Sequence, residues 1–295
     1  MPTATANELV ERYADYIKDR VIITTGVSPN SLGAYFVQTI AKARPAWLIL
    51  ASRDVKKAEK TQAAIAASHP DIKTRIIQVD LESLQSVRDA AAVVNSWSDI
   101  PVVDVLVNNA GMLVDDYSVT VDGVERQLAA NHLGHFLFTN LIMDKILASK
   151  APRVVNVSSE GHRLNQFRFD DYNFEDGKTY DILRAYGQAK TANILMATSL
   201  AQKLGQKRGA IDRVLGNKEG RPDYIPQMLP IEKGTATHVY AAFDPGLSAH
   251  NGSYLLDCHV ADPLVDTIKP WATSPFEAEK LWRLSEKLVG QKFSY

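Results

Sequence analysis

The chain has 295 residues, of which 45% are hydrophobic and 23% charged, and 33 lysines and arginines against 34 aspartates and glutamates give a formal net charge of −1. That length can bury a full core in one large α/β domain, and the balanced charge excludes the electrostatic footprint of a protein that binds nucleic acid or an acidic membrane surface. A single cysteine, Cys258, excludes an internal disulfide and a cysteine-built metal site.

Targeting and membrane signals are absent from the sequence. The first twenty residues lack an apolar signal-peptide core, and no later stretch has the uninterrupted apolar length of a membrane span. We therefore expect a cytoplasmic protein with a small-molecule substrate, no nucleic-acid or membrane partner and no metal. Apolar residues at helical spacing predict an N-terminal amphipathic helix over 1–18. No repeat or linker divides the chain, so we predict a single domain over 1–295.

The first strand predicts a nucleotide site. A β-branched run over 21–25 leads into a turn from Gly26 to Gly33 and then into an amphipathic helix. Glycine permits a sharp turn and close backbone approach, and a helix N-terminus presents free N–H groups to a pyrophosphate. A plain strand-to-helix turn is the alternative, because Ser28 stands where a second glycine is expected. The residues predicted to contact the dinucleotide here are Gly26, Ser28, Ser31, Leu32 and Gly33.

Four further strands are predicted, over 47–51, 75–79, 103–107 and 153–157. The second leads into Arg53, which suits a ribose 2′-phosphate and so favours NADP over NAD, with a solvated surface arginine as the alternative. The third runs into Asp80 and Leu81, where a carboxylate can accept from an adenine amino group. The fourth ends in four residues that can pack beside a flat cofactor ring while holding the turn, namely Asn108, Asn109, Ala110 and Gly111.

Strands that alternate with helices at this spacing predict an α/β fold, with a doubly wound parallel sheet of Rossmann type whose carboxyl ends share one crevice. The fifth strand ends in Ser158 and Ser159. Tyr186 and Lys190 follow on one face of a later helix, because they lie four positions apart. An ammonium beside a phenol favours the phenolate, so the tyrosine becomes a usable proton donor or acceptor near neutral pH.

These stretches, together with Asn131 in Asn131-His132-Leu133-Gly134-His135, resemble the short-chain dehydrogenase/reductase family over roughly residues 20–205. Within the family, the chain is most similar to the retinol-dehydrogenase-like and WW-domain-oxidoreductase-like branch, and its tail over 235–255 resembles fungal members. The resemblance implies that Tyr186 is the general acid–base, that Lys190 lowers its pKa and binds the nicotinamide ribose, and that Ser159 rather than Ser158 orients the substrate oxygen. It also implies that Asn131 holds a water linking Lys190 to solvent.

The resemblance implies an NADP(H)-dependent oxidoreductase, as a dimer or tetramer, that interconverts an alcohol and a ketone or aldehyde on a small, fairly apolar molecule. Two histidines of the quoted motif, His132 and His135, lie in an apolar helical context, which favours packing over ligation. Aromatic residues between Ser159 and Tyr186 either line an apolar substrate pocket or cover the sheet; these are Phe167, Phe169, Tyr172 and Phe174.

The main departure from the family pattern lies over 205–231. Family members have a sixth strand here that ends in a Pro-Gly turn and a substrate lid, whereas this chain offers only a poor strand over 209–216. Beyond it we predict a helix over 231–243, a strand over 253–256 and a helix over 275–289. The atypical segment leaves two alternatives open, a nucleotide-binding scaffold or regulator without turnover, and a cofactor-retaining isomerase or dehydratase.

Overall fold

A computed structural model describes residues 4–205, 213–216, 229–266 and 268–295, with only the backbone described for 213–216. In this part of the chain one sheet of eight strands has the order β3-β2-β1-β4-β5-β6-β7-β8. The first seven strands pair in parallel, and β8 pairs antiparallel with β7. The strands are β1 (Val21–Thr25), β2 (Trp47–Ser52), β3 (Thr74–Gln78), β4 (Val105–Asn108), β5 (Arg153–Val157), β6 (Arg213–Gly216), β7 (Tyr254–Leu256) and β8 (His259–Val260).

Helices pack on both faces of the sheet. They are α1 (Ala6–Arg12), α2 (Ala14–Ile17), α3 (Leu32–Ile40), α4 (Val55–Ser68), α5 (Leu84–Ser96), α6 (Arg126–Leu128), α7 (Gly134–Leu141), α8 (Met143–Leu147), α9 (Ile182–Leu204), α10 (Ile231–Gly234), α11 (Ala236–Phe243), α12 (Pro270–Thr273) and α13 (Pro275–Val289). A π-helical turn over Ala129–Leu133 separates α6 from α7, and a 3-10 turn over Glu160–Arg163 follows β5.

Alternation along the strands builds two cores. Ile22 and Leu48 face α1, α3, α4 and α11, whereas Ile23 and Ile49 face α5, α7, α9 and α13. Successive side chains of a strand point to opposite faces, so runs that are apolar at every position bury both sides of the sheet. The predicted α/β doubly wound fold is confirmed, and the carboxyl ends of β1 to β5 meet along one edge.

Four predictions about elements need correction. The poor strand expected over 209–216 is a sheet member, since β6 (Arg213–Gly216) lies between β5 and β7. The rest of the predicted atypical segment, 206–212 and 217–228, lies outside the described residues. The helix predicted over 231–243 is divided at Thr235, and the predicted last strand, which begins at Tyr254, is followed by β8. The N-terminal helix is likewise divided, at Tyr13.

Candidate active site

The turn after β1 is tight because its backbone segments touch. Gly26 has φ +74°, and a Cβ there would lie 2.7 Å from Cα of Ala110, while a Cβ at Gly33 would lie 2.5 Å from the Gly26 carbonyl oxygen. The Ser31 hydroxyl donates to that carbonyl and accepts from the N–H of Ala34, each at 3.1 Å, and so caps α3. The first N–H groups of α3, including those of Leu32 and Gly33, have no carbonyl partner within the helix and suit an anion.

A cleft of about 180 Å³ opens beside this turn at the carboxyl ends of β1 to β4. It brings together seven of the residues predicted to bind cofactor, namely Gly26, Ser28, Arg53, Asp80, Leu81, Ala110 and Gly111. Arg53 lies on the rim with 59% of its side chain exposed and forms an ion pair with Glu82. The second carboxylate oxygen of Glu82 lies 2.5 Å from Nε of Arg126, so this carboxylate joins two guanidinium groups.

The turn after β4 contains two asparagines with different placements. Asn108 is buried in the sheet, and its amide donates to Oγ1 of Thr139 at 2.9 Å and Oδ1 of Asn156 at 2.8 Å. The predicted contact of this side chain with a cofactor is therefore replaced by support of the sheet. Asn109 holds the turn instead, because its Nδ2 donates to the carbonyls of Thr25 at 2.8 Å and Gly26 at 3.2 Å.

The two serines after β5 face different partners. The Ser158 hydroxyl is buried and donates to the backbone carbonyl of Lys190 at 2.7 Å, which ties the strand to α9. The Ser159 hydroxyl accepts from the N–H of Gly161 at 3.0 Å. It lies beside Tyr186, because a Cβ at Gly161 would be 3.4 Å from Oγ of Ser159 and 2.7 Å from the Tyr186 ring. Of the two, only Ser159 has its hydroxyl at the tyrosine, as the choice of Ser159 requires.

Tyr186 is packed so closely that a Cβ at Gly161 would lie 2.7 Å from its ring atoms Cδ1 and Cε1. Burial raises the pKa of the Tyr186 phenol, against a smaller lowering by the hydrogen bond with Ser159. The lowering of this pKa by Lys190 stays a prediction, and burial of the phenol acts in the opposite direction. Lys190 Nζ lies 5.5 Å from the ring centroid and donates to the Val157 carbonyl at 3.1 Å. Burial lowers the pKa of this ammonium to about 8.

Asn131 lies on the π-helical turn, a local widening that often marks a functional position. Its Oδ1 accepts from the N–H of Met112 at 2.7 Å, and its Nδ2 donates to the Met112 carbonyl at 2.9 Å. Gly111 lies between this amide and the lysine, since a Cβ there would be 3.2 Å from Oδ1 of Asn131 and 3.3 Å from Nζ of Lys190. Asn131 and Lys190 thus lie at Gly111, at the end of the cleft. Tyr186 adjoins Lys190, and Ser159 adjoins Tyr186 at Gly161.

Comparison with known proteins agrees with this geometry. A family model described as short chain dehydrogenase matches residues 20–173. The chain belongs to the short-chain dehydrogenase family. Members of this family are oxidoreductases that bind a nicotinamide cofactor.

Several known proteins are similar to this short-chain dehydrogenase over nearly its whole length. Short-chain dehydrogenase TIC 32 A, chloroplastic, from Brassica napus is 33% identical over 91% of this chain and 88% of its own length. Retinol dehydrogenase 12 from Bos taurus is 31% identical over 92% of this chain and 86% of its own. A crystal structure of an uncharacterised protein from Mycobacterium paratuberculosis superposes with a TM-score of 0.74, at 29% identity, and covers 95% of this chain and 96% of that one.

The residues of this short-chain dehydrogenase fit a nicotinamide dinucleotide. The close backbone contacts at Gly26 and Gly33 leave no room for a side chain in the turn, and the cleft continues from there to Gly111 and the nearby Lys190. The turn would hold the pyrophosphate, and the end of the cleft at Gly111 would hold the nicotinamide riboside.

Two residues that sequence reasoning did not assign to the site connect its parts. The Thr25 hydroxyl accepts from the N–H groups of Asn109 at 3.0 Å and Ala110 at 2.9 Å, and it also bonds with His135 at 2.8 Å. His238 on α11 places Nε2 3.2 Å from Oδ1 of Asn109. The sequence does contain a signal for Thr25 and His238, because each is a polar residue within a run of apolar ones. A polar group buried in this way requires a hydrogen-bond partner.

The other sequence expectations concern packing. His132 and His135 are buried and hydrogen-bonded within the fold, as predicted. Phe167, Phe169 and Tyr172 pack against the core that includes α9. Phe174 is 0% exposed, and its ring packs edge-to-face with that of Tyr180. The structure thus favours the covering role over a pocket lining. Among the described residues, every helix is too short or too polar to cross a bilayer.

Proposed function

We propose that the protein is an NADP(H)-dependent oxidoreductase that interconverts an alcohol and a ketone or aldehyde on a small, fairly apolar molecule. One observation carries the proposal, namely that the hydroxyl of Ser159 and the ring of Tyr186 both lie next to Gly161, while the ammonium of Lys190 lies 5.5 Å from the centroid of that ring. A bound nicotinamide would supply or accept the hydride, which the side chains present cannot do.

The side chains supply the proton chemistry. In the direction of carbonyl reduction, Tyr186 is the proton donor, because burial raises its pKa and keeps the phenol protonated near neutral pH. Ser159 donates a hydrogen bond to the same substrate oxygen and orients it. Lys190 donates one hydrogen bond to the Val157 carbonyl and would hold the ribose hydroxyls of the cofactor with its other N–H groups. A water bound by the second lone pair of the Asn131 carbonyl would connect Lys190 to solvent.

Replacing Tyr186 tests the reaction. The protein is assayed with a panel of three carbonyl substrates, namely hexanal, cyclohexanone and 4-nitrobenzaldehyde, and NADPH oxidation is followed by absorbance. We expect turnover of at least one carbonyl, and Tyr186→Phe should lower kcat by about 100-fold or more, because the proton donor is lost. The Kd for NADPH, measured by fluorescence, should change less than about threefold. A 100-fold weaker binding would require the loss of about 2.7 kcal/mol of contacts, which is more than one phenol oxygen supplies.

Each alternative function gives a different result in that assay. NADPH binding without oxidation by any carbonyl, and no effect of Tyr186→Phe, would favour the scaffold or regulator. A product of altered structure without net consumption of NADPH would favour the isomerase or dehydratase.

The preference for NADP rests on the end of β2. Ser52 is neutral, Arg53 reaches the rim of the cleft, and Lys57 lines the same wall. Asp54 also lines this cleft, and its carboxylate caps α4 by accepting from the N–H of Lys57 at 3.1 Å. Glu82 keeps its partner Arg126 when Arg53 turns to a phosphate. A guanidinium at this place favours a 2′-phosphate over a free hydroxyl.

Arg53→Asp tests that preference. It should raise the Kd for NADPH by about tenfold or more and leave the Kd for NADH unchanged or lower, since a charge-assisted hydrogen bond contributes roughly 1.5–3 kcal/mol. Lys56→Asp is the matched control, because Lys56 makes the same charge change on α4 without lining the cleft. Equal effects of both variants on the two cofactors would show that the 2′-phosphate is read elsewhere.

An apolar substrate is supported by three leucines near the catalytic residues. Leu113, Leu164 and Leu183 are 53%, 49% and 49% exposed. Leu113 follows Met112, and Leu183 lies one turn before Tyr186 on α9. The bovine relative is named as a dehydrogenase of retinol, which is an apolar alcohol. The cytoplasmic location and the dimer or tetramer stay predictions, and the name of the Brassica relative places that protein in the chloroplast.

A further inference from the structure

His135 lies inside the molecule between two parts of the proposed site. It is 1% exposed, and each ring nitrogen has a partner. Nε2 lies 2.8 Å from the Thr25 hydroxyl at the end of β1, and Nδ1 lies 3.2 Å from the backbone carbonyl of Asn131 on the π-helical turn. The ring therefore spans from the first strand to the helix that carries Asn131.

The directions of these hydrogen bonds follow from the partners of Thr25. Its Oγ1 already accepts from the N–H groups of Asn109 and Ala110, so its own proton goes to His135, at 2.8 Å, in preference to the Val107 carbonyl at 3.5 Å. Nε2 of His135 is then the acceptor. Nδ1 carries the proton and donates to the Asn131 carbonyl, which can only accept. Burial lowers the pKa of this imidazole to about 4, in agreement with a neutral ring.

These bonds close a ring around the turn after β4. Ala110 is held through Thr25 and His135 to the backbone of Asn131, and Met112 is held directly by the side chain of Asn131. Gly111 lies between these two fixed points, with Nζ of Lys190 next to it.

We propose that His135 is a positioning residue, which sets the distance between the turn 109–112 and Asn131 and thereby the place of Gly111 beside Lys190. It touches neither the cleft nor the proposed reacting groups. The inference rests on the proposed function in taking this end of the cleft as the nicotinamide side. It deepens that function by adding a residue that acts through Thr25 and Asn131.

Amide hydrogen exchange measured by NMR tests the ring without any substrate. His135→Leu removes both hydrogen bonds and should raise the exchange rates of the Ala110 and Met112 amides by tenfold or more. His132→Leu is the matched control, since His132 is equally buried three residues earlier, on the π-helical turn, but bonds to Ser285 on α13. It should leave those two amides within threefold of the wild-type rates. Equal effects of the two leucine variants would overturn the proposal.

Two conservative variants separate the two bonds. The amide of His135→Asn stands where Nδ1 stood, so it should keep Met112 protected while Ala110 exchanges fast. The amide of His135→Gln reaches the place of Nε2, so it should protect Ala110 and leave Met112 fast. A general loss of packing would instead accelerate both amides alike in all three variants, and that result would also refute a positioning role.

Kinetics with NADPH and 4-nitrobenzaldehyde provide the second readout. In His135→Leu we expect kcat to fall tenfold or more, with KM for the aldehyde and Kd for NADPH each within threefold of the wild-type values. A rise in KM or Kd with unchanged kcat would contradict the proposal. If the wild-type protein reduced no carbonyl of the panel, the proposed function would fail, while the exchange rates would still decide whether His135 holds the turn.

Discussion

Two adjacent serines at the end of β5 show how one residue supports packing and its neighbour chemistry. Ser158 is buried, and its hydroxyl donates to the Lys190 carbonyl, so it fixes the backbone of α9 at the lysine. Ser159 lies on the other side of the chain, where its hydroxyl meets the phenol of Tyr186. Successive side chains of an extended segment point in opposite directions, so one position separates the two roles.

Alanine at each serine should therefore have opposite consequences. Ser158→Ala should lower the free energy of unfolding by about 0.5–1.5 kcal/mol, since a buried hydrogen bond to α9 is lost, and should leave kcat within about threefold. Ser159→Ala should lower kcat by about tenfold or more with a change in stability below about 1 kcal/mol. Urea denaturation and NADPH oxidation with each variant check this pair. A stability loss at Ser159 with full activity would assign the substrate contact to another group.

At the scale of elements, helix α13 has clear start and stop signals in its sequence, and it packs over α7 and α9. Ser274 caps it by accepting from the N–H of Glu277, Pro275 occupies its first turn, and Gly290 ends it at φ +66°. Trp282 is 2% exposed on its inner face, with its ring centroid 4.9 Å from that of Phe136 on α7. The helix thus packs against the elements that carry Asn131 and Tyr186.

Trp282→Ala should lower the free energy of unfolding by about 3–5 kcal/mol, because it leaves a large cavity between α13 and α7. Phe276→Ala is the control on the same helix, since Phe276 is 75% exposed, and it should change stability by less than about 0.5 kcal/mol. Denaturant unfolding measures both variants. Similar small losses would mean that the C-terminal helix contributes little to the fold.

Local signals explain which elements the sequence predicts. The bounds of β1, β5 and α13 agree with prediction, because β-branched runs and helix caps act within a few residues. β6 and β8 have four and two residues, and their strand geometry depends on pairing with β5 and β7, which a local pattern does not contain.

The candidate site likewise contains a part that the sequence predicts and a part that depends on long-range contacts. Tyr186 and Lys190 share one helix, so their spacing was readable. The bonds of Thr25 and His135 join residues 110 positions apart and follow only from the folded chain.

For the whole molecule, four histidines lie buried in different elements around the site. They are His132 on the π-helical turn, His135 on α7, His162 after β5 and His238 on α11. Burial lowers the pKa of His132 to about 3 and those of the other three to about 4. His162 shows the same structural use as His135, because its Nδ1 bonds with the Ser159 carbonyl at 2.8 Å. The imidazoles of His135, His162 and His238 thus hydrogen-bond to residues at the carboxyl edge, whereas His132 bonds to Ser285 on α13.

This placement predicts acid sensitivity above the range in which carboxylates titrate. Between about pH 4 and 6.5 the unfolded chain binds protons at these histidines and the folded chain does not, so the free energy of unfolding falls as the pH falls. Each proton contributes about 1.4 kcal/mol per pH unit, and the slope should approach four protons near pH 5. Urea denaturation at a series of pH values from 7 to 5 measures this slope of the unfolding free energy against pH. His132→Gln should lower the slope by about one proton, while His250→Gln, at an exposed position, should leave it unchanged. A flat stability curve over this range would show that the folded protein accepts charge at these imidazoles.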